Sequence, residues 1–433
     1  MAPRIVIIGG GSYQWVPKLL CDVARTKSLQ TAEIVLEDIA SEPLAEMGDF
    51  ARELAARSGA MWTVATTTDQ REALAGADFV VVTISTGGFG SMRFDLEIPA
   101  KYGIKQSVGD TVGPGGIMRA LRNVPVLLSI ARDMQELCPD AWLLNITNPM
   151  TVLCRAVTRE SPIKTVGLCH EVTLTQFTLS QLLDADFREF DFTVAGVNHL
   201  PLITDMRIAG QDGFARLREV LERDDPRTQG IIASNRLKFA LYERFGVLPA
   251  AGDRHLAEFF PGFLTEESDW GERWGVQLTT IQDREQWLDY YRQEFANLRA
   301  APGLPELPSG ELVAPLIDAL LRDKRRELPV NLPNEGQCPD LPPESVVEAM
   351  CTADGGGIRG RDSAPVPPVL AEWLRRIVAS QEMTVAAALS GDRADVVDAM
   401  LLDPLAGRID YDSLGSMSDE MISATTKWLP QFV

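Results

Sequence analysis

The stretch RIVIIGGGSYQ, residues 4–14, decides how the chain is read, because an apolar run passes directly into three glycines. The aliphatic residues Ile5 to Ile8 suit a strand covered on both faces. A helical pattern follows at once, VPKLLCDVARTKSL (16–29), with Pro17 in its opening turn. Glycines at such a turn let backbone amides approach a diphosphate, and the helix start adds positive partial charge. The sixth position is Gln14 and not glycine, so the strict dinucleotide fingerprint is broken. A second strand, EIVLED (33–38), ends in Glu37-Asp38. Asp38 is the expected ribose ligand, which favours NAD over NADP, with Glu37 its main rival. The plainer alternative is a tight turn beside a solvated acidic loop. We read Gly9, Gly10, Gly11 and Ser12 as a cofactor cradle because the motif starts a whole series of such units.

That series runs outward through EPLAEMGDFARELAARSG (42–59) as a helix and WTVATTT (62–68), DFVVVTIS (78–85) and AWLLNIT (141–147) as strands. Strand–helix alternation with near-continuous apolar strands predicts a parallel sheet covered on both faces. Apolar residues at helical spacing predict a long helix over 117–138, kinked or divided at Pro125. Past about residue 165 the pattern mixes strands near 164–169, 191–198 and 202–208 with helices over roughly 214–300, at 310–326 and at the C-terminal end. The Pro/Gly-rich residues 329–367 read as irregular. The expectation is an α/β fold in two parts: a Rossmann-like doubly wound domain (1–165) and an α+β domain (166–433).

With 45% hydrophobic and 24% charged residues, the chain can bury a sizeable core. Its net charge of −20 argues against nucleic acid and anionic membranes as partners. No apolar run reaches the roughly 18–20 residues of a membrane span. The N-terminal run IVII is too short for a signal sequence, so the expected location is the cytoplasm. Six cysteines without C-x-x-C spacing read mainly as reduced core residues.

Ligands in such sheets bind beyond the carboxyl ends of the strands. STGGFGSMRFDLEIP (85–99) brings Ser85, Arg93 and Asp95 there as a loop. VGDTVGPGG (108–116) is a glycine-rich lead into the long helix. NITNPM (145–150) offers Asn145, Thr147 and Asn148 to sugar hydroxyls or nicotinamide. GLCHEV (167–172) closes one strand at Cys169, and TVAGVNHL (193–200) closes another at Asn198-His199. Cys169 and His199 make half of a divalent-metal site with positions open for substrate oxygens. They also suit a nucleophile–base pair, and spacing alone leaves both readings open. Neighbours Cys169 and His170 point to opposite faces of a strand, which argues against their pairing with each other.

Taken together, GGGS at 9–12, R-x-D at 93–95, GDTVGPGG at 109–116, NITNP at 145–149, GLCH at 167–170, GVNH at 196–199 and NLPNEGQ at 331–337 form a recognisable series. In these motifs the chain resembles the NAD- and manganese-dependent glycosidases of glycoside hydrolase family 4, relatives of the lactate and malate dehydrogenases. The resemblance implies a C-terminal domain of the lactate/malate dehydrogenase type. It implies Cys169 and His199 as ligands of Mn²⁺, or of Co²⁺, Ni²⁺ or Fe²⁺, and Asn148 as a contact of the sugar or the nicotinamide. It implies hydrolysis of a small-molecule α-glycoside by oxidation at C3, elimination, water addition and reduction. In FGVLPAAGDRHLAEF (245–259), Asp253 is then the expected base, with His170 or Glu171 as acid. Arg93, Asp95, Asn148, Asn198 and His255 are the expected substrate contacts. Members acting on 6-phosphosugars commonly carry Asp or Asn after the metal-binding cysteine, and His170 departs from that. The favoured substrate is an α-glucuronide, with α-glucosides and α-galactosides next. A 6-phospho-glycosidase, a 2-hydroxy acid dehydrogenase and a non-catalytic NAD sensor stand behind. The family pattern implies a homodimer or homotetramer.

Overall fold

The computed structural model describes residues 2–432. β1 (Arg4–Ile8), β2 (Glu33–Glu37), β3 (Thr63–Thr67), β4 (Phe79–Val82), β5 (Trp142–Asn145) and β6 (Lys164–Gly167) pair in parallel, in the order β6-β5-β4-β1-β2-β3. Alternation along each strand fills both faces. Val6, Ile8, Val80 and Val82 enter one core, while Ile5, Ile7, Phe79 and Val81 enter the other. Each such side chain contributes roughly 1.5–3 kcal/mol relative to exposure. The α/β class expected from the alternating pattern is the class the chain adopts.

β7 (Phe190–Val197) and β8 (Leu200–Ile208) form an antiparallel pair, flanked by β9 (Gln211–Asp212) and β10 (Leu248–Pro249). β11 (Arg326–Pro333), β12 (Val346–Asp354) and β13 (Gly357–Gly360) return to the first sheet and extend it antiparallel beyond β6. Among the described residues that sheet has nine strands. Within 329–367, expected to be irregular from its Pro and Gly content, residues 329–333, 346–354 and 357–360 are thus strand, while 334–345 and 361–367 are irregular as expected. β11 meets β6 at a single register pair, Asn331↔Gly167, so Pro329 and Pro333 forfeit few ladder bonds on that side. The boundary expected between 165 and 166 falls inside β6, which is bonded to β5 from Trp142↔Lys164 onward.

Two further departures bear on the site. Residues 85–99 are mostly helix (Gly88–Lys101), entered through Gly87 and Gly88 at φ +83 and +52. The long helix spans Gly113–Leu137 in one piece, with Pro125 inside it. Proline removes the amide that would bond to the carbonyl of Leu121, and Gln431 supplies a substitute, its Nε2 donating to that carbonyl at 2.8 Å.

Candidate active site

At the end of β1 the chain turns at Gly9, where φ is +86. A Cβ there would stand 1.9 Å from the Thr83 carbonyl oxygen, and one at Gly10 would stand 2.8 Å from Leu36 Cβ. The amides of Gly9 and Gly10 both donate to the Glu37 carbonyl, at 2.9 and 2.7 Å. The Gly11 amide donates to Asp38 Oδ2 at 2.9 Å, and Ala40 N–H donates to Oδ1 at 2.9 Å. Gly9–Ser12 and Asp38 therefore meet at the opening of the Val16–Arg25 helix, where a side chain on either glycine would fill the turn. Glu37 is buried, and burial pushes its carboxyl up to about 7, with Asp38 and Asp69 adding to the effect. A side chain that has turned inward and favours its neutral form leaves Asp38 as the carboxylate facing the turn.

Beyond β4 and β5 the two strand ends are tied together. Thr147 Oγ1 accepts the Ile84 amide at 2.9 Å, and Asn145 bonds the backbone of Thr147 at both its amide atoms. Asn145 and Thr147 are thereby consumed in building the edge. Asn148 differs: its Oδ1 is buried and has no hydrogen-bond partner. Its carbonyl accepts Arg119 Nε at 2.9 Å, and the Arg119 Nη1 donates to Ser85 Oγ at 3.0 Å. Arg119, on the long helix, was not anticipated, although it lies just past the glycine-rich lead into that helix.

The densest group of potential ligands joins three segments. One donor atom each from Asp110, His199 and His255 lies within 4.8 Å of the others. The two imidazoles lie close, 3.7 Å between centroids, with their planes tilted by 34°. His199 stands at a left-handed φ of +65 between β7 and β8, and its Nδ1 is 2.8 Å from Thr111 Oγ1. Burial, helped by His255, drives His199 down to about 3, so it is neutral and has a lone pair to give. Burial pushes the Asp110 carboxyl up, but His255, Arg284, His199 and Arg119 outweigh it and hold the group below its ordinary range. His255 Nδ1 is buried without a partner. A carboxylate, two neutral imidazoles and an orphaned ring nitrogen fit a divalent cation.

Cys169, expected beside His199, belongs to no such group of three among the described residues. Its buried thiol is pushed up by burial and by the charges of Glu348 and Glu171, with the nearby Asn198 side chain opposing them. Asn198 Nδ2 also donates to Glu348 Oε2 at 3.3 Å, while its own Oδ1 has no partner. Glu348 is fully buried in β12, and burial raises it to about 8. It was missed because it lies in the stretch taken as irregular; a lone acid within the apolar run VVEAMC was the available signal.

The expected acid–base residues surround this group. Asp253 opens the Asp253–Phe259 helix, and its two oxygens accept the amides of Leu237 and Lys238 at 2.8 and 3.0 Å. It thereby anchors the start of the Arg236–Phe245 helix, and burial raises its pKa. Glu171 Oε2 accepts the Gly252 amide at 2.6 Å, and His255, His199, His170 and Lys238 overcome its burial to keep it ionised. His170 Nδ1 lies 3.2 Å from Glu311 Oε1, which also accepts Lys18 Nζ at 2.9 Å.

Arg93 and Asp95 are placed elsewhere. Because residues 88–101 form a helix, Arg93 turns outward, 3.6 Å from Glu97. Asp95 turns inward and pairs with both terminal nitrogens of Arg122 at 2.9 and 2.5 Å, with both side chains essentially inaccessible. Neither faces the Asp110 group as a free substrate contact.

The model of the "Family 4 glycosyl hydrolase" family matches residues 4–185, and that of its C-terminal domain matches residues 194–406. An alpha-galacturonidase of Thermoanaerobacterium saccharolyticum is 34% identical, over 98% of this chain and 96% of that protein. The crystal structure of the Bacillus subtilis lplD protein superposes with a TM-score of 0.87 at 32% identity, covering 97% of this chain and 99% of that one. A gut-microorganism 6-phospho-alpha-glucosidase, solved with NAD and Mn²⁺, shares the fold at TM-score 0.82 and 21% identity, with all of both chains covered. The Cryptosporidium parvum lactate dehydrogenase shares it more distantly, at TM-score 0.55 and 15% identity over 90% of this chain and 98% of that one. Glycine turn, donor group and full-length likeness agree, and the chain belongs to family 4 of the glycosyl hydrolases.

Proposed function

We propose that this family 4 glycosidase is an α-galacturonidase that works with NAD and a divalent ion such as Mn²⁺. The observation that carries the reading is the shared sheet edge, where Arg119 reaches both the Ser85–Asn148 loops and the field of Asp110. A dinucleotide at Gly9–Ser12 and Asp38, and an ion held by His199 with Asp110, His255 or Cys169, would then adjoin one substrate. When bound, these groups supply reversible hydride transfer and Lewis acidity.

The chain's own residues supply the rest. Asp253 is the proton acceptor: its orientation is fixed by two backbone amides, each oxygen keeps a lone pair, and burial strengthens it as a base. His170 gives the leaving group its proton from Nε2, with Nδ1 turned to Glu311. Glu171 holds the Gly252 amide and so fixes the loop before Asp253. The unpaired Oδ1 of Asn148 is the acceptor offered to a sugar hydroxyl or the nicotinamide amide. The 34% identical relative acts on galacturonides, which moves the preferred uronide from the gluco to the galacto configuration.

The test is a panel of nitrophenyl α-glycosides assayed with NAD⁺ and Mn²⁺. The galacturonide should give the highest kcat/KM. A faster neutral glycoside would overturn the acidic-sugar reading, and a faster glucuronide would overturn the galacto assignment. Product formed in D₂O should carry deuterium at C2; its absence would exclude proton abstraction there.

A further inference from the structure

A chain of net charge −20 places three arginines around Asp110, namely Arg119, Arg254 and Arg284, and none has a carboxylate within 4.0 Å among the described residues. In so acidic a protein that is an unmet demand for an anion. Two of the three are largely occupied, with two of their three guanidinium nitrogens bonded to neutral groups. Arg119 spends Nε and Nη1 on Asn148 and Ser85. Arg254 is bound to the Ser107 and Gln277 carbonyls and to Thr279 Oγ1.

Arg284 is different. It donates only from Nη2, to the Val108 carbonyl at 3.1 Å, two residues before Asp110. Its Nε is buried without a partner, and its Nη1 makes no hydrogen bond, among the described residues. The guanidinium is nevertheless held in place, lying 4.8 Å from the ring centre of Trp287, with Arg254 also near that ring at 5.1 Å. A planar, preoriented fork with donors to spare is suited to one carboxylate, which it can bind with two parallel hydrogen bonds.

Resting on the galacturonide reading, we propose that Arg284 is the specificity residue that binds the substrate's uronate carboxylate. The nearby Asp110 does not satisfy it, since their charged atoms are more than 4.0 Å apart. Arg93, one of the expected substrate contacts, instead turns its half-exposed side chain toward Glu97.

The test measures the ratio of kcat/KM for nitrophenyl α-galacturonide to that for nitrophenyl α-galactoside, in wild type, Arg284→Gln and Arg284→Lys. Losing a charge-assisted pair should cut this ratio about 100-fold in the glutamine variant, chiefly through KM of the uronide, and less in the lysine variant. NAD binding, followed by calorimetry, should hold within about two-fold. A wild-type ratio below one overturns the galacturonide reading and this assignment with it. A high wild-type ratio that survives in Arg284→Gln overturns the assignment alone, as does a weakened NAD affinity with the ratio unchanged. If the glutamine variant does not fold, an unchanged ratio in Arg284→Lys with an unchanged uronide KM overturns it equally.

Discussion

Two glycine-rich segments follow neighbouring strands and look alike in sequence: GGGS after β1 and STGGFGS after β4. They do opposite things. Gly9 is pressed so closely against Thr83 that no side chain fits, and the turn it makes faces Asp38. Gly88 has open space where its Cβ would be, and the residues after it coil into a helix that sends Arg93 to solvent and Asp95 into the interior. Even Gly87, which does lack room beside Ser91, only starts that helix, so what sets the first segment apart is the turn facing Asp38 and not crowding alone.

The contrast can be broken most forcefully at Gly9. Gly9→Ala must adopt a left-handed φ and displace the Thr83 carbonyl, which should cost about 5 kcal/mol or more and abolish NAD binding. Thermal unfolding with and without NAD reads both effects, and a variant that binds NAD normally would dissolve the distinction. Next comes the second segment's inward anchor. Asp95→Asn leaves Arg122 buried without its counter-charge, at a cost of roughly 3–5 kcal/mol in urea unfolding. A cost under about 1 kcal/mol would show that this pair does not hold the helix.

Glu37 offers a pH handle on the first segment. Burial lets the folded chain keep its proton to about pH 7, whereas the unfolded chain releases it near 4.5. The folded state binds more protons in that window, so stability falls as pH rises through it. Glu37→Gln should flatten that slope and gain on the order of 2 kcal/mol at pH 8 relative to wild type. An unaltered slope would assign it to other groups. The smallest effect belongs to Arg93→Ala, within about 0.5 kcal/mol in stability and two-fold in kcat/KM. A large rise in KM would return Arg93 to the substrate.

What was legible in the sequence is what neighbouring residues dictate. The apolar strands, the glycine turn and the acid after β2 announce themselves through local periodicity and spacing. Polar groups at strand ends were also visible, since Cys169 and His199 interrupt apolar runs. Three kinds of feature were hidden. β11 carries prolines that argue against a strand until its sparse pairing with β6 is known. Asp110 and Arg284 draw their meaning from residues far along the chain, for which no spacing rule exists. Asp95 looked like a ligand because a buried ion pair and a substrate carboxylate contact use the same residue types.

Gln431 gives the molecule an order of completion. The long helix that carries Arg119 and Arg122 lies in the first third of the chain, yet its Leu121 carbonyl is capped by a side chain some three hundred residues later. During synthesis the earlier segments emerge and begin to fold first. The floor of the site is therefore laid early but fastened late: until residue 431 docks, a defect persists at Pro125, within two turns of the Arg119 that reaches the sheet edge.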